Sequence, residues 1–143
     1  MSFKIYDADQ VTLNVVGIPI TSGYADGEFL RVEKETDDFT DVVGTDGSVT
    51  RSKTKDGRAT ITVVLMQTAD SNAVLAALSQ VDRAAPNGAG VGALFIRDRQ
   101  GTSVYEADEC WISKSPDATF DREATSREWT LRCAVLRDFT GGT

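Results

Sequence analysis

Residues 38–78 read DFTDVVGTDGSVTRSKTKDGRATITVVLMQTADSNAVLAAL, and they join a polar strand, an apolar strand and a short helix. Residues 48–55 are rich in hydroxyl and basic side chains, and Val49 is their only large apolar residue. Residues 59–65 place Ala59, Ile61, Val63 and Leu65 at every second position, which is typical of a strand with one buried face. The contrast predicts that the polar segment projects from the domain toward another molecule.

An amphipathic helix is predicted over residues 71–84. The side chain of Asp70 or Ser71 can accept hydrogen bonds from the unpaired backbone N–H groups of the first turn, and Pro86 lies just beyond the last turn. The apolar side chains expected on the packed face recur at helical spacing: Val74, Leu75, Leu78 and Val81. We therefore expect this face to lie against the strands.

Strand patterns dominate the rest of the chain. Alternation or continuous apolar character indicates strands near residues 10–16, 28–34, 39–43, 91–96, 102–107, 110–114 and 127–138. We expect residues 91–96 to be covered on both faces, and the last strand to bury Trp129, Leu131, Cys133 and Val135 together. The pattern predicts a mainly β domain spanning residues 1–143, an antiparallel β-sandwich or partly closed barrel with one flanking α-helix.

Charge and hydropathy narrow the classes of partner. The chain has 143 residues and a net charge of −7, which disfavours binding to a phosphate backbone. The cluster Arg51, Lys53, Lys55 and Arg58 is interrupted by Asp56, and we interpret it as solvated or facing a protein partner. No apolar run approaches membrane-spanning length and no secretory signal is visible, so we expect no membrane anchor and synthesis in a cytoplasm.

Residues for catalysis are scarce. The sequence contains no histidine, which removes the commonest general base and the commonest nitrogen ligand for metals. Cys110 and Cys133 fit no zinc pattern; we interpret them as two packed thiols, with a disulfide between neighbouring strands as the alternative. Carboxylate pairs such as Asp108 and Glu109 lack a full calcium-loop pattern. We expect no enzyme activity, no cofactor and no metal.

Four runs, in this order along the chain, carry a resemblance to a known family: GYADG at residues 23–27, VGTDGSVTR at 43–51, LMQTADSN at 65–72 and REW at 127–129. In order and spacing the chain resembles the tail tube proteins of contractile-tailed bacteriophages, which are related to the tube proteins of pyocins and type VI secretion.

The resemblance implies a structural role in the virion tail. Such subunits form rings, expected to be hexameric, that stack into a hollow tube through which DNA passes without specific binding. The implied partners are further copies of the chain and the tail sheath, baseplate and tail terminator proteins. An extended hairpin arm at about residues 42–58 would contact the adjacent ring, with these candidate contact residues: Thr45, Asp46, Val49, Arg51, Lys53, Lys55 and Arg58.

Three alternatives remain open from the sequence. The chain could be the tube protein of a pyocin or a type VI-like injection system. It could be a monomeric β-sandwich that binds a ligand such as carbohydrate through Tyr24, Tyr105 and Trp111, although aromatic residues in strands more often fill cores. A hydrolase that uses carboxylates is the third.

Overall fold

The computed structural model describes residues 3–143. After a 3₁₀ turn at Ala8–Gln10, the elements in chain order are β1 Val11–Val15, β2 Ile18–Ile20, β3 Leu30–Lys34, β4 Phe39–Val43, β5 Val49–Lys53, β6 Ala59–Met66, α1 Ser71–Ala84, β7 Gly92–Asp98, β8 Val104–Lys114, β9 Ser126–Cys133 and β10 Arg137–Phe139. The mainly β class with one helix, predicted from the sequence, is confirmed over these residues.

An eight-stranded sheet forms the body of the subunit. Seven of its strands follow the order β2-β1-β7-β8-β9-β6-β3, β10 pairs with β8, and all neighbours are antiparallel. In β6 every second side chain is buried, as the alternation predicts. The inward side chains of β1, β6, β7, β8 and β9 form one core.

The sheet curls so that its two edges approach each other. β2 ends at Ile20, yet Tyr24 already pairs with Leu65 at the opposite edge. Four residues span at most about 14 Å, and the Tyr24 hydroxyl donates a 2.5 Å hydrogen bond back to the carbonyl of Ile20. Burial raises the pKa of Tyr24 to about 12. No strand ladder joins β2 to β3, so the curled sheet does not close into a barrel. It is sandwich-like and stays open between these two strands.

The helix begins and ends where its periodicity predicts, but it packs on a different face. Leu75 and Ser79 are buried, whereas Val74 and Val81 are exposed. Successive residues are about 100° apart around a helix, so the packed stripe is rotated by roughly one residue from the expected one. Asp70 occupies the N-cap position without a side-chain cap bond. The prediction that Val74 and Val81 face the strands is therefore wrong.

Three strand predictions also change. β7 buries only one face, and β8 is one continuous strand of 11 residues instead of two shorter ones. The expected strand at residues 127–138 divides into β9 and β10, because the amide of Leu136 turns to the carbonyl of Gly57 at 2.8 Å. As a result Leu136 is buried and Val135 is exposed, the reverse of the predicted alternation.

Candidate functional site: the exposed arm and the helix–sheet junction

A two-stranded ribbon projects from the body of the subunit. β4 and β5 pair in register from Phe39 opposite Lys53 to Val43 opposite Val49, and they form a sheet of their own. All ten strand residues are exposed. We call this ribbon and its turn, residues 39–53, the arm.

The tip of the arm is held by its own hydrogen bonds. The amide of Gly44 donates to the carbonyl of Ser48 at 2.7 Å, and Gly47 takes the positive φ of 86° that a glycine accepts without strain. The Asp46 carboxylate accepts the Ser48 amide at 2.9 Å, and this bond lowers the pKa of Asp46. Thr45 and Asp46, two of the predicted contact residues, therefore lie in an ordered turn at the tip.

The two faces of the arm differ in charge. Because side chains alternate across a strand, one face carries Phe39, Asp41, Val43, Val49, Arg51 and Lys53, while the other carries only Thr40, Val42, Thr50 and Ser52. On the charged face, the Arg51 guanidinium carbon lies 4.1 Å from the centre of the Phe39 ring. Arg51 also sits directly opposite Asp41. Three of the predicted residues, Val49, Arg51 and Lys53, thus share one face.

Lys55 and Arg58 lie beyond the end of β5, where the arm joins the body. Arg58 Nη2 contacts Asp56 Oδ2 at 2.9 Å, which raises the pKa of Arg58 and lowers that of Asp56. The base is closed by the amide of Glu35, which donates to the carbonyl of Arg58 at 3.1 Å. The ribbon therefore begins three residues earlier than the predicted arm, and Arg58 pairs within its own subunit.

The chain exposes more surface than a compact monomer. Its accessible surface is 9540 Å², whereas a folded monomer of 15.4 kDa exposes roughly 7,200 Å². The arm contributes exposed Val42, Val43 and Val49, each about two-thirds accessible at 66%, 65% and 65%. The arm therefore adds apolar surface that the subunit itself does not cover.

Three of the four runs that carry the family resemblance meet at one place, which we call the helix–sheet junction. Trp129 Nε1 donates to Asn72 Oδ1 at 2.9 Å, and Asn72 Nδ2 donates to the carbonyl of Met66 at 2.8 Å. Gln67 Oε1 accepts the amide of Thr125 at 2.9 Å. These bonds tie β9 to the start of α1 and to the end of β6.

The glycine-rich run packs on the same junction. The amide of Met66 donates to the carbonyl of Gly23 at 2.7 Å. A Cβ added to Gly23 would lie 2.4 Å from the Cβ of Ala69, so only glycine fits here. The sequence did not predict that these three runs contact one another. The available signal was that all three belong to the set of runs that carry the family resemblance.

The aromatic residues of the binding-module alternative lie in different surroundings. Tyr24 packs against Phe29 with ring centres 4.9 Å apart and is bonded to Ile20. The Tyr105 hydroxyl is hydrogen-bonded to the Thr140 hydroxyl at 2.7 Å, next to β10. Trp111 on β8 lies opposite Arg132 on β9 in the strand register. Two of the three are thus engaged within the subunit.

Within residues 3–143 no cluster of potential ligands could hold a metal ion. None of the helices in that range is long and apolar enough to cross a membrane.

A sequence profile of the family described as Bacteriophage PhiTE tail tube protein matches residues 6–141. The chain belongs to this tail tube family. The resemblance inferred from the four runs is thereby confirmed, and the tail tube chain is a phage structural protein of the virion tail.

A curated relative and several solved structures agree with this membership. The tail tube chain is 34% identical over 131 residues to "Structural protein ORF10" of Pseudomonas phage KPP10, covering 88% of this chain and 76% of that protein. Its fold matches a chain of the anti-feeding prophage tube-terminating cap, with a TM-score of 0.59, 10% identity and coverage of 98% and 95%. It also matches a chain of an extracellular contractile injection system sheath–tube complex, with a TM-score of 0.57, 11% identity and coverage of 93% and 90%.

These comparisons bear on the role of the chain in two ways. The family and the curated relative are structural proteins, which agrees with the expectation of a non-enzymatic role. The solved structures, at 10–11% identity, establish a shared fold.

Proposed function

We propose that the protein is a single-domain tail tube subunit that self-assembles into stacked hexameric rings, whose lumen conducts DNA during ejection. The fully exposed arm is the observation that carries this proposal. A two-stranded ribbon in water is marginally stable by itself, and every strand residue of this one is exposed. Packing against another ring would cover its apolar side chains and hold its geometry.

The arm is the proposed contact between adjacent rings. Thr45 and Asp46 would reach the neighbouring ring first because they lie at the tip. Lys53 and Lys55 would meet acidic surface, which a subunit of net charge −7 offers in abundance. Arg58 would contribute less than the sequence suggests, since Asp56 already pairs with it.

Within a ring, the edge of β3 is the proposed joint between subunits. At the two ends of β3, the Phe29 carbonyl accepts the amide of Val64 and the Glu35 amide donates to the carbonyl of Arg58. Bonding residues alternate along an antiparallel strand, so the backbone N–H and C=O groups of Leu30, Val32 and Lys34 point away from β6, toward solvent. At the opposite edge, β2 has three residues and places Pro19 outward, and proline has no N–H to donate. The β3 edge can therefore accept and donate ladder bonds, whereas the β2 edge is blocked. In a ring the β3 edge would meet a different surface of the neighbouring subunit, because closed rings are built from head-to-tail contacts.

The acidic charge suits a lumen for DNA. Six copies at −7 each would give a ring of about −42, and a negative wall repels phosphates so that the genome slides without sticking. The same charge keeps unassembled subunits soluble in the host cytoplasm, where we expect the protein to be made.

The sheath, the baseplate and a tail terminator are the proposed protein partners. The matched solved structures come from a sheath–tube complex and from tube or sheath terminators of injection systems. Their fold supports an equivalent position for this chain in a phage tail. The same likeness makes the tube of a pyocin or type VI-like injection system the second candidate function.

Electron microscopy of the purified protein tests the proposal. Rings or tubes with a central hole are expected, and a strict monomer at high concentration after prolonged incubation would overturn it. A variant in which two glycines replace residues 38–54 should keep the fold, since the bond from Glu35 to Arg58 closes the base without the arm. This variant should form single rings that no longer stack; tubes of normal length would disprove the role of the arm.

A further inference from the structure

The two cysteines of the chain face each other across neighbouring strands. Cys110 lies on β8 and Cys133 on β9, and the ladder pairs them directly. Both thiols are free and both are buried. They are the only cysteines in the sequence, so any intrachain disulfide has one possible connectivity.

The hydrogen-bond pattern places this pair at a narrow rung of the ladder. The amide of Ala134 donates to the carbonyl of Glu109 at 3.1 Å, so the Glu109 and Ala134 rung is hydrogen-bonded. Rungs alternate in an antiparallel ladder, which makes the Cys110 and Cys133 rung non-hydrogen-bonded, with Cα atoms about 4.5 Å apart. A disulfide requires a Cα separation of about 4.4–6.8 Å, so the backbone is already placed for one.

The neighbours of the two cysteines in the same row are small residues. Gly92 on β7 pairs with Cys110, and Ala59 on β6 pairs with Cys133. The row across four strands therefore contains two cysteines flanked by the two smallest residues. Both side chains point to the buried side of the sheet, where the two thiols lie within hydrogen-bond reach of each other.

We propose that Cys110 and Cys133 are a covalent modification site, a dithiol that closes to a cross-strand disulfide between β8 and β9 when the particle leaves the reducing cytoplasm. The oxidant is a low-molecular-weight disulfide such as oxidised glutathione, which reaches the pair when β8 and β9 separate transiently, because Cys110 and Cys133 are 0% and 1% exposed in the closed fold. One cysteine thiolate attacks it, releases one glutathione and forms a mixed disulfide; the second cysteine thiolate then displaces the second glutathione. Two thiols are oxidised and one glutathione disulfide is reduced to two thiols.

The bond would join the two strands that the longest irregular connection separates. Residues 115–125 link β8 to β9 without regular structure, and Phe120 within them is exposed. A disulfide at Cys110 and Cys133 closes the loop that contains this segment and so restricts the unfolded chain. The closed form should resist unfolding better than the dithiol.

The reaction should be slow at neutral pH. In the closed fold the sulfurs are inaccessible, and the hydrogen bond between them raises the pKa of Cys110 while it lowers the pKa of Cys133. Attack takes place after opening, where a thiol with the ordinary pKa of about 8.5 forms more thiolate at higher pH. Faster closure is therefore expected at pH 9 than at pH 7.

Thiol titration and mass spectrometry of the native protein test the proposal. After incubation with oxidised glutathione at pH 9, both thiols should be lost, the mass should fall by about 2 Da, and a peptide linking Cys110 to Cys133 should appear. The midpoint of thermal unfolding should rise by about 10 °C. Two remaining thiols, a stable glutathione adduct, a disulfide between chains or an unchanged midpoint would each overturn it.

The matched control is Cys110→Ala/Cys133→Ala, which retains the small side chains of the row. Its midpoint should not respond to oxidised glutathione. A response equal to that of the native chain would show that the effect does not arise at this pair. The thiol titration of the native protein tests the proposal even if the variant folds poorly.

Discussion

Trp129 on β9 donates its indole N–H to the side-chain oxygen of Asn72 in the first turn of α1, at 2.9 Å and across 57 residues of sequence. The same Asn72 side chain donates to the carbonyl of Met66 at 2.8 Å. The side-chain amide of Asn72 therefore hydrogen-bonds both the buried indole N–H of Trp129 and the backbone carbonyl of Met66 at the end of β6. This bond orients the helix relative to the sheet.

Asn72→Ala should destabilise the subunit by about 1–3 kcal/mol, because it leaves the buried Trp129 N–H without its acceptor. Urea unfolding measures the effect. The control is Asn87→Ala, the same substitution at an exposed loop position, which should change stability by less than about 0.5 kcal/mol. Equal effects at the two positions would show that the bond does not stabilise the junction.

Gly23→Ala should be among the most destabilising small substitutions, by more than about 2 kcal/mol. Its φ is +83° and the new Cβ would lie 2.4 Å from the Cβ of Ala69. Gly27→Ala is the matched control, because φ is +92° and nothing lies within 4 Å of the new Cβ. Gly27→Ala should lose only the stability that it costs to hold an alanine at positive φ, about 1 kcal/mol. Thermal unfolding separates the two, and equal losses would refute the packing argument.

Leu75→Ala should cost about 2–5 kcal/mol, because Leu75 is fully buried against the sheet. Val74→Ala and Val81→Ala should cost well under 1 kcal/mol in the monomer, since both side chains are exposed. Chemical unfolding of the three variants distinguishes the observed helix face from the one expected from the sequence. A loss at Val81 as large as that at Leu75 would contradict the observed packing.

Acid should weaken the contact between Arg137 and Asp108. Arg137 donates to both carboxylate oxygens of Asp108 at 3.2 and 3.1 Å, and these bonds lower the pKa of Asp108. A lowered folded pKa means that the contribution is complete above the unfolded pKa and is lost as the pH falls through the folded value, here below about pH 4.

Asp108→Asn should therefore flatten the fall of unfolding free energy between pH 5 and pH 2, as measured by urea unfolding at each pH. Asp121→Asn removes the same charge in the exposed segment between β8 and β9 and serves as control. An acid response of Asp108→Asn identical to that of the native chain would exclude the ion pair as a source of pH dependence.

Charge reversal on the arm should weaken stacking between rings. Lys53→Glu/Lys55→Glu would place negative charge against the acidic neighbour that we propose, without altering the core. Tube length by electron microscopy should fall at low salt and recover partly at high salt, because screening weakens the repulsion. Lys114→Glu reverses an exposed charge on β8 as control. Tubes of equal length in both variants would remove the arm lysines from the contact.

Local patterns predicted much of the fold. The alternation in residues 59–65 and the apolar periodicity in residues 71–84 identified β6 and α1, since both elements depend on neighbours in sequence. The arm was expected from its polarity, and the turn residues marked its tip. The exposure of Val135 and the burial of Leu136 were missed, because they depend on a hydrogen bond from Leu136 to the distant Gly57.

By itself the sequence determined the mainly β class, the position of the helix, the polar hairpin and the family, because these follow from periodicity, turn chemistry and short motifs. Only the tertiary structure decided which helix face packs, that Trp129 bonds to Asn72, and that Cys110 lies opposite Cys133. Those relationships join residues far apart in the chain, and strand order and register, which no local pattern encodes, bring them together.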